Sequence, residues 1–194
     1  MDSLCTDLGW TLNFEEIDIL REGEGNNLAP PLVQKQWVDR IRNYEIVICT
    51  PPCSNFSRAP WANSFGPHPV RSAAYPEGFP WLSGADRDKA DFNNAWISFL
   101  WDVLDEIDRL QPTQCIVGFA EHPEDLGRVR HGSAGDVPAS IWRAKRFLRL
   151  VKRGWWSGAF RQSDYEAPTA KPTRSTSNSF KFESMAPHAL PVFK

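Results

Sequence analysis

The chain lacks the features that would place it in a membrane, outside the cell or around a metal ion. No apolar run approaches the ~20 residues that a membrane-spanning helix needs. Its first residues, Met1-Asp2-Ser3-Leu4-Cys5-Thr6-Asp7, are acidic and poor in apolar side chains, unlike a secretory leader. Only four cysteines occur (Cys5, Cys49, Cys53 and Cys115), with neither the spacing of a disulfide framework nor that of a zinc site. A reducing, intracellular location in nucleus or cytoplasm is therefore expected, not secretion, with no metal and no membrane partner. Internal repeats are absent as well. What is abundant is tryptophan and proline, nine and 16 of 194 residues. Disordered chains are poor in aromatics, so this pairing points to long but ordered loops. The length suits a single domain with a sizeable core.

Net charge is only −2, but it is unevenly placed. Residues 1–127 carry 9 Lys/Arg against 20 Asp/Glu, a net −11, and residues 128–181 carry 12 against 3, a net +9. The basic part points either to a polyanion partner or to a solvated helix face.

Apolar patterning predicts a run of alternating elements. Ser3–Leu8 reads as a short helix closed by Gly9. Trp10–Ile19 reads as a strand ending in acids, and Leu32–Asn43 has apolar residues near helical spacing. Glu45–Thr50 is a short apolar run stopped by Pro51-Pro52, as in a buried parallel strand. Residues 53–89 form a long loop rich in Pro, Gly, Ser and Trp, and such loops inside a domain are usually functional. Asp91–Leu110 is an amphipathic helix with Trp96, Phe99, Leu100, Val103, Leu104, Ile107 and Leu110 in one stripe. Gln114–Ala120 is a second apolar strand, Pro138–Lys152 a basic helix, and Gly154–Gln162 a further strand. Beyond that the chain is Pro/Ser/Thr-rich and weakly patterned. Strands alternating with helices define an α/β domain with a largely parallel sheet, whose ligands bind at the carboxyl ends of strands. Three such ends carry chemistry: Glu16/Asp18, Pro51-Pro52-Cys53 and Glu121.

Thr50-Pro51-Pro52-Cys53-Ser54-Asn55-Phe56-Ser57 resembles the Pro-Cys motif of the DNA cytosine-5 methyltransferases, and like it follows a buried apolar strand. Phe119-Ala120-Glu121-His122-Pro123-Glu124-Asp125-Leu126-Gly127 is similar to the family's next catalytic motif, with His122 where the family usually has Asn. Glu16-Ile17-Asp18 resembles the acidic strand end that holds the cofactor ribose, and Asn27-Leu28 stands where the family has an acid near the adenine. Lys171-Pro172-Thr173-Arg174 looks like a basic motif of small methylase-like proteins. The resemblance covers roughly residues 4–178. It implies a Rossmann-like class I methyltransferase sheet flanked by helices over 1–178, followed by an irregular tail over 179–194.

The resemblance implies a division of labour. Carbon 5 of cytosine is a poor nucleophile, so the Cys53 thiolate adds to C6 and makes C5 enamine-like. Glu121 protonates or hydrogen-bonds ring N3. S-adenosylmethionine supplies the methyl group, with Glu16, Asp18, Asn27 and Pro51 at its site. DNA is the expected partner, RNA being open to the same carbon chemistry, and the target base must leave the duplex stack. Pro52, Ser57, Arg58, Arg71, Lys171 and Arg174 are the expected substrate contacts, with Trp61 and Trp81 to fill a gap or steady the strand. Cys49 and Cys115, inside apolar strands, are expected in the core.

Two departures stand beside these matches. The family's opening strand and Phe-x-Gly-x-Gly loop, which wraps the methionine part of the cofactor, have no counterpart here, so the sheet is expected to be incomplete. A large target-recognition region and a paired-Arg motif are absent too, Arg161-Gln162 being a faint echo. Three readings stay open: an active or once-active cytosine-5 methyltransferase, completed by a partner or an upstream segment; a catalytically inactive methyltransferase-like fragment or pseudoenzyme acting as a nucleic-acid or protein binding module; and an unrelated α/β protein.

Overall fold

A computed structural model describes residues 11–17, 27–28, 30–61, 67–127 and 137–185. Helix α1 (Pro31–Arg40) opens on a proline at its first position, where no amide donor is needed. A 3₁₀ turn, Ile41–Asn43, ends it and drops Ile41 into the core. Strand β1 (Ile46–Cys49) follows, then helix α2 (Gly84–Leu110), strand β2 (Val117–Pro123), helix α3 (Lys145–Lys152), and strands β3 (Trp156–Arg161) and β4 (Pro172–Ser177). The result is an α/β arrangement with an open, mixed, four-stranded sheet in the order β1-β2-β4-β3.

β1 and β2 are parallel, with Ile46 opposite Val117 and Cys49 opposite Ala120, and α2 makes the crossover between them. β4 runs antiparallel to both β2 and β3. The expectation of a largely parallel sheet is thus corrected: one of the three strand pairings is parallel.

The predicted apolar stripe of α2 forms the centre of the core. Leu104 and Ile107 are fully buried, as is Leu150 of α3, and Phe99, Leu100, Val103 and Leu110 line the same face. Gly118 of β2 shows how closely this layer approaches the sheet. A Cβ there would lie 2.9 Å from Trp155 Cη2 and 3.0 Å from Ile107 Cδ1.

Several features differ from the reading of the sequence, among them the start of α2, at Gly84 rather than Asp91. Thr11–Ile17 forms no strand: it is irregular and mostly exposed, with Phe14 65% accessible, and is tied to α1 by Arg40, whose Nη2 donates to Glu15 Oε2 at 2.9 Å. β1 is consequently an edge strand among the described residues, with Ile46 and Ile48 facing outward at 58% and 60% exposure. β2 begins three residues later than expected, which leaves Cys115 exposed rather than in the core. The basic helix is broken by Ala144, which is extended at ψ 139, so α3 starts at Lys145 after a separate 3₁₀ turn, Ile141–Arg143.

β4 was invisible in the apolar pattern, because its sequence is Pro-Thr-Arg-Ser-Thr-Ser. It is nonetheless a central strand, with Thr173, Ser175, Thr176 and Ser177 fully buried. Most of its hydroxyls are satisfied locally: Thr176 Oγ1 donates to the Trp156 carbonyl at 2.8 Å, and Ser177 Oγ to that of Gly118 at 2.7 Å. Its one proline sits at the strand's first residue, where a missing donor is tolerated. The start of the expected irregular tail also belongs to the fold. A 3₁₀ turn, Phe180–Met185, brings the Phe182 ring within 4.9 Å of Phe119. The expected Ser3–Leu8 helix lies outside the described residues.

Candidate active site

The parallel register of β1 and β2 places the two motifs at one end of the sheet. Cys49 lies opposite Ala120, so Thr50-Pro51-Pro52-Cys53 leaves the sheet at the carboxyl end beside Glu121, which stays in β2 opposite Ser175. The chain turns at once, the Phe56 amide donating to the Cys53 carbonyl at 3.0 Å. Phe56 is buried, and its ring meets the edge of His122 at a centroid distance of 5.5 Å. This contact holds the Cys53 turn against β2.

Cys53 is half-buried and its thiol is free. Cys49 is of a different kind: burial pushes its thiol up to about 12, which suppresses the thiolate. Cys115 is exposed but precedes β2, at the opposite end of that strand from Glu121. Cys49 closes β1 at this same end but within the ladder, and Cys53 lies beyond it in the turn.

β2 alternates its side chains between the two sheet faces. Glu121 and its partner across the ladder, Ser175, share one face. Glu121 Oε1 stands 4.0 Å from Lys171 Nζ, while Glu121 Oε2 is buried without a hydrogen-bond partner among the described residues, and so is Ser175 Oγ. His122 turns to the other face and is 1% exposed, between Phe56 and Trp142. Burial moves its ring down to about 3; the nearby Pro52 carbonyl opposes that shift, and the Lys171 charge adds to it. Among the described residues, neither ring nitrogen has a hydrogen-bond partner. His122 therefore packs in the core rather than entering the site as a second polar group.

Lys171 comes to this end because β4 is antiparallel and begins where β2 ends; the Glu124 amide donates to the Pro172 carbonyl at 3.1 Å. Arg174, expected as a nucleic-acid contact, is turned inward. Its Nη2 lies 2.8 Å from Glu124 Oε2, and its Nη1 donates to Ser157 Oγ at 3.2 Å. Arg71 is also placed differently from its expected role. It is 1% exposed, donates to the Pro76 and Ala90 carbonyls at 2.7 and 2.9 Å, and lies over the Phe56 ring at 4.2 Å. Burial lowers its guanidinium to about 10, still charged at neutral pH. Both arginines position the site from within the fold.

Ser57 caps the 3₁₀ turn Ala59–Trp61 by accepting from the Ala59 amide at 3.3 Å, and Arg58 is half-buried beside it. Pro51 and Pro52 are half-buried. Of the expected cofactor residues, Glu16 is exposed in the irregular stretch before α1, Asn27 is half-buried, and Asp18 lies outside the described residues. Because no strand forms over residues 11–17, Glu16 does not stand within a strand. S-adenosylmethionine held as the resemblance implies does not fit these residues as they stand. Among the described residues no group of three or more His, Cys, Asp or Glu could hold a metal, and no helix is long and apolar enough to cross a membrane.

The basic segment has local partners. Arg146 reaches Asp102 and Asp105 of α2 at 2.7 and 2.6 Å, Arg149 reaches Asp105 at 2.7 Å, Arg153 pairs with Asp108, and Arg143 with Asp125. Much of the charge asymmetry along the sequence is thus an internal pairing of α3 with α2.

Sequence reasoning missed Phe56 and Ser175 as parts of the site. In sequence, Phe56 reads only as part of the Pro-Pro-Cys motif. Ser175 was hidden in a strand without an apolar signal. No protein-family model matches the chain, and neither the curated proteins nor the solved structures give a significant match.

Proposed function

We propose that this chain is a cytosine-5 methyltransferase-like protein that carries the base-attacking half of the reaction. Cys53 is the nucleophile toward C6 of a cytosine in nucleic acid, and Glu121 is the group that receives ring N3. The observation that carries this reading is the buried, unpartnered Oε2 of Glu121 at the sheet end that also bears the half-buried Cys53. A buried carboxyl oxygen without a partner is rare in native structures, and in its protonated form it can donate to ring N3, which carries no hydrogen in neutral cytosine. In the chemistry proposed, the thiolate adds to C6 as N3 takes a proton from Glu121. C5, now enamine-like, gains a proton from solvent; removal of the original C5 hydrogen, expulsion of the thiolate and return of the N3 proton to Glu121 then restore both the base and the catalyst. The methyl donor implied by the resemblance is S-adenosylmethionine, and no step of this addition and reversal passes through it.

The test is exchange of the cytosine C5 hydrogen for deuterium. A cytosine-containing single-stranded oligonucleotide is incubated with the chain in heavy water and read by mass spectrometry. Cys53-dependent exchange, lost in Cys53→Ser and reduced at least about 100-fold in Glu121→Gln, is the expected result, the size being that of general acid catalysis. Exchange equal in wild type and Cys53→Ser would overturn the reading. The second reading, a binding module without turnover, is favoured by the exposed edge of β1 and the missing Thr11–Ile17 strand. It predicts oligonucleotide binding with no exchange.

A further inference from the structure

The loop between the Cys53 turn and α2 carries three aromatic rings that the core does not absorb. Phe79 and Trp81 are stacked, with centroids 4.8 Å apart and planes 7° from parallel. Tyr75 meets both nearly edge-on, at 6.0 and 5.7 Å. Trp81 is 68% exposed and Tyr75 45%. Phe79 covers one face of the indole, and the large exposed area lies on what remains.

This cluster is held rigidly. The Phe79 amide donates to the Val70 carbonyl at 3.0 Å, and Arg87 Nη2 donates to the Phe79 carbonyl at 2.9 Å. Asn94 Nδ2 donates to the Glu77 carbonyl at 2.7 Å, and the buried Arg71 grips the Pro76 carbonyl from inside. Arg71 also lies over Phe56 in the Cys53 turn, so one guanidinium ties the aromatic loop to the candidate active site. A loop bolted to a helix that still presents a flat indole to solvent is preorganised for a planar ligand, since little ordering remains to be done on binding.

We infer that Tyr75, Phe79 and Trp81 form a stacking platform for an unpaired nucleobase of single-stranded nucleic acid, next to the base addressed by Cys53. The inference rests on the proposed reaction for its choice of partner. A cytosine can be attacked at C6 only out of its stack, and its neighbour in an unpaired strand then has an open face. A fixed stack of rings receives a base that is already free, unlike a lone side chain that wedges into a duplex. The surroundings point to the base rather than the phosphate. Glu77 lies in the same loop and Asp86 and Asp88 open α2, all exposed and acidic, which disfavours a phosphodiester there.

The experiment is fluorescence anisotropy with a 5′-labelled, cytosine-free oligodeoxyadenylate, so that no Cys53 chemistry enters. Wild type is expected to bind the single strand more tightly than the duplex of equal length. Trp81→Ala should weaken the single-strand complex about 5- to 100-fold, Trp81→Phe should recover most of the loss, and duplex binding should be indifferent to both. Tyr75→Leu provides a second variant at a less exposed ring. Equal affinity of wild type and Trp81→Ala for the single strand overturns the platform, as does failure of the wild type to bind it, which would leave the rings to a protein partner. The two ideas separate cleanly. Deuterium exchange with no effect of Trp81 removes the platform alone, and Trp81-dependent binding without exchange removes the reaction alone.

Discussion

The seam between α2 and α3 and the carboxyl end of the sheet are built on opposite principles. At the seam every acid of the Asp102, Asp105, Asp108 row meets an arginine of α3 or of the turn after it, and Trp155 Nε1 adds a bond to Asp108 at 3.0 Å. These pairs are exposed mainly on the arginine side of Arg149 and Arg153, with Asp105 half-buried and Asp108 nearly buried. At the sheet end the polar groups are buried, and Glu121, His122 and Ser175 hold atoms with no hydrogen-bond partner among the described residues. Exposed pairs contribute little each and tolerate loss. Buried unpartnered groups destabilise the fold; Glu121 Oε2 and Ser175 Oγ share one face of the sheet, where a ligand would complete them, whereas His122 lies on the other face within the core. The exposed pairs of the seam and the buried groups of the sheet end are therefore expected to respond very differently to substitution.

The comparison can be broken most forcefully at Arg174. Replacing it with Met leaves the Glu124 carboxylate, 5% exposed at its side chain, without its cation, and a loss of about 3–5 kcal/mol in unfolding free energy is expected from urea titration. Gly118→Val should follow, at about 1–3 kcal/mol, because the added atoms enter the space of Trp155 and Ile107. His122 gives a sharper test, through pH. In the unfolded chain its ring takes a proton near the ordinary value of 6.5, whereas in the fold it stays neutral down to about 3. The unfolded state thus binds more protons between those limits. The stability associated with the neutral ring is complete above pH 6.5 and falls progressively as the pH drops toward 3. A His122→Phe variant should lose that component, so its urea midpoint should fall less than that of wild type between pH 7 and pH 5. The smallest effect is expected at the seam, where Arg146→Ala should lower stability by about 1 kcal/mol or less, and less still in high salt.

Elements with apolar periodicity were legible: α1, the core of α2, β1 and β3 stand close to where the pattern put them. Trp10–Ile19 shows where alternation misleads. It marks which side chains share a face but says nothing of a neighbouring strand, and Leu12 and Phe14 are left exposed in an irregular segment. β4 fails in the other direction, because buried Thr and Ser that bond to adjacent carbonyls give no apolar signal. Cys53 and Glu121 were readable as motif residues, and the β1–β2 register brings them to one end of the sheet. The inward turns of Arg71 and Arg174 were not, since a basic residue looks the same in sequence whether it faces a phosphate or a buried carboxylate. The pairing of α3 with α2 spans 41 to 45 residues and has no local signature.

The central claim is that the described residues carry the base-attacking half of a cytosine-5 reaction and not the donor-binding half. Calorimetric titration of S-adenosylmethionine into the purified chain, with Glu16→Ala alongside, tests it most directly. The account predicts no saturable heat up to millimolar concentration in either protein. Saturable binding that weakens in Glu16→Ala would contradict it and would show that a donor pocket forms around a segment with no strand.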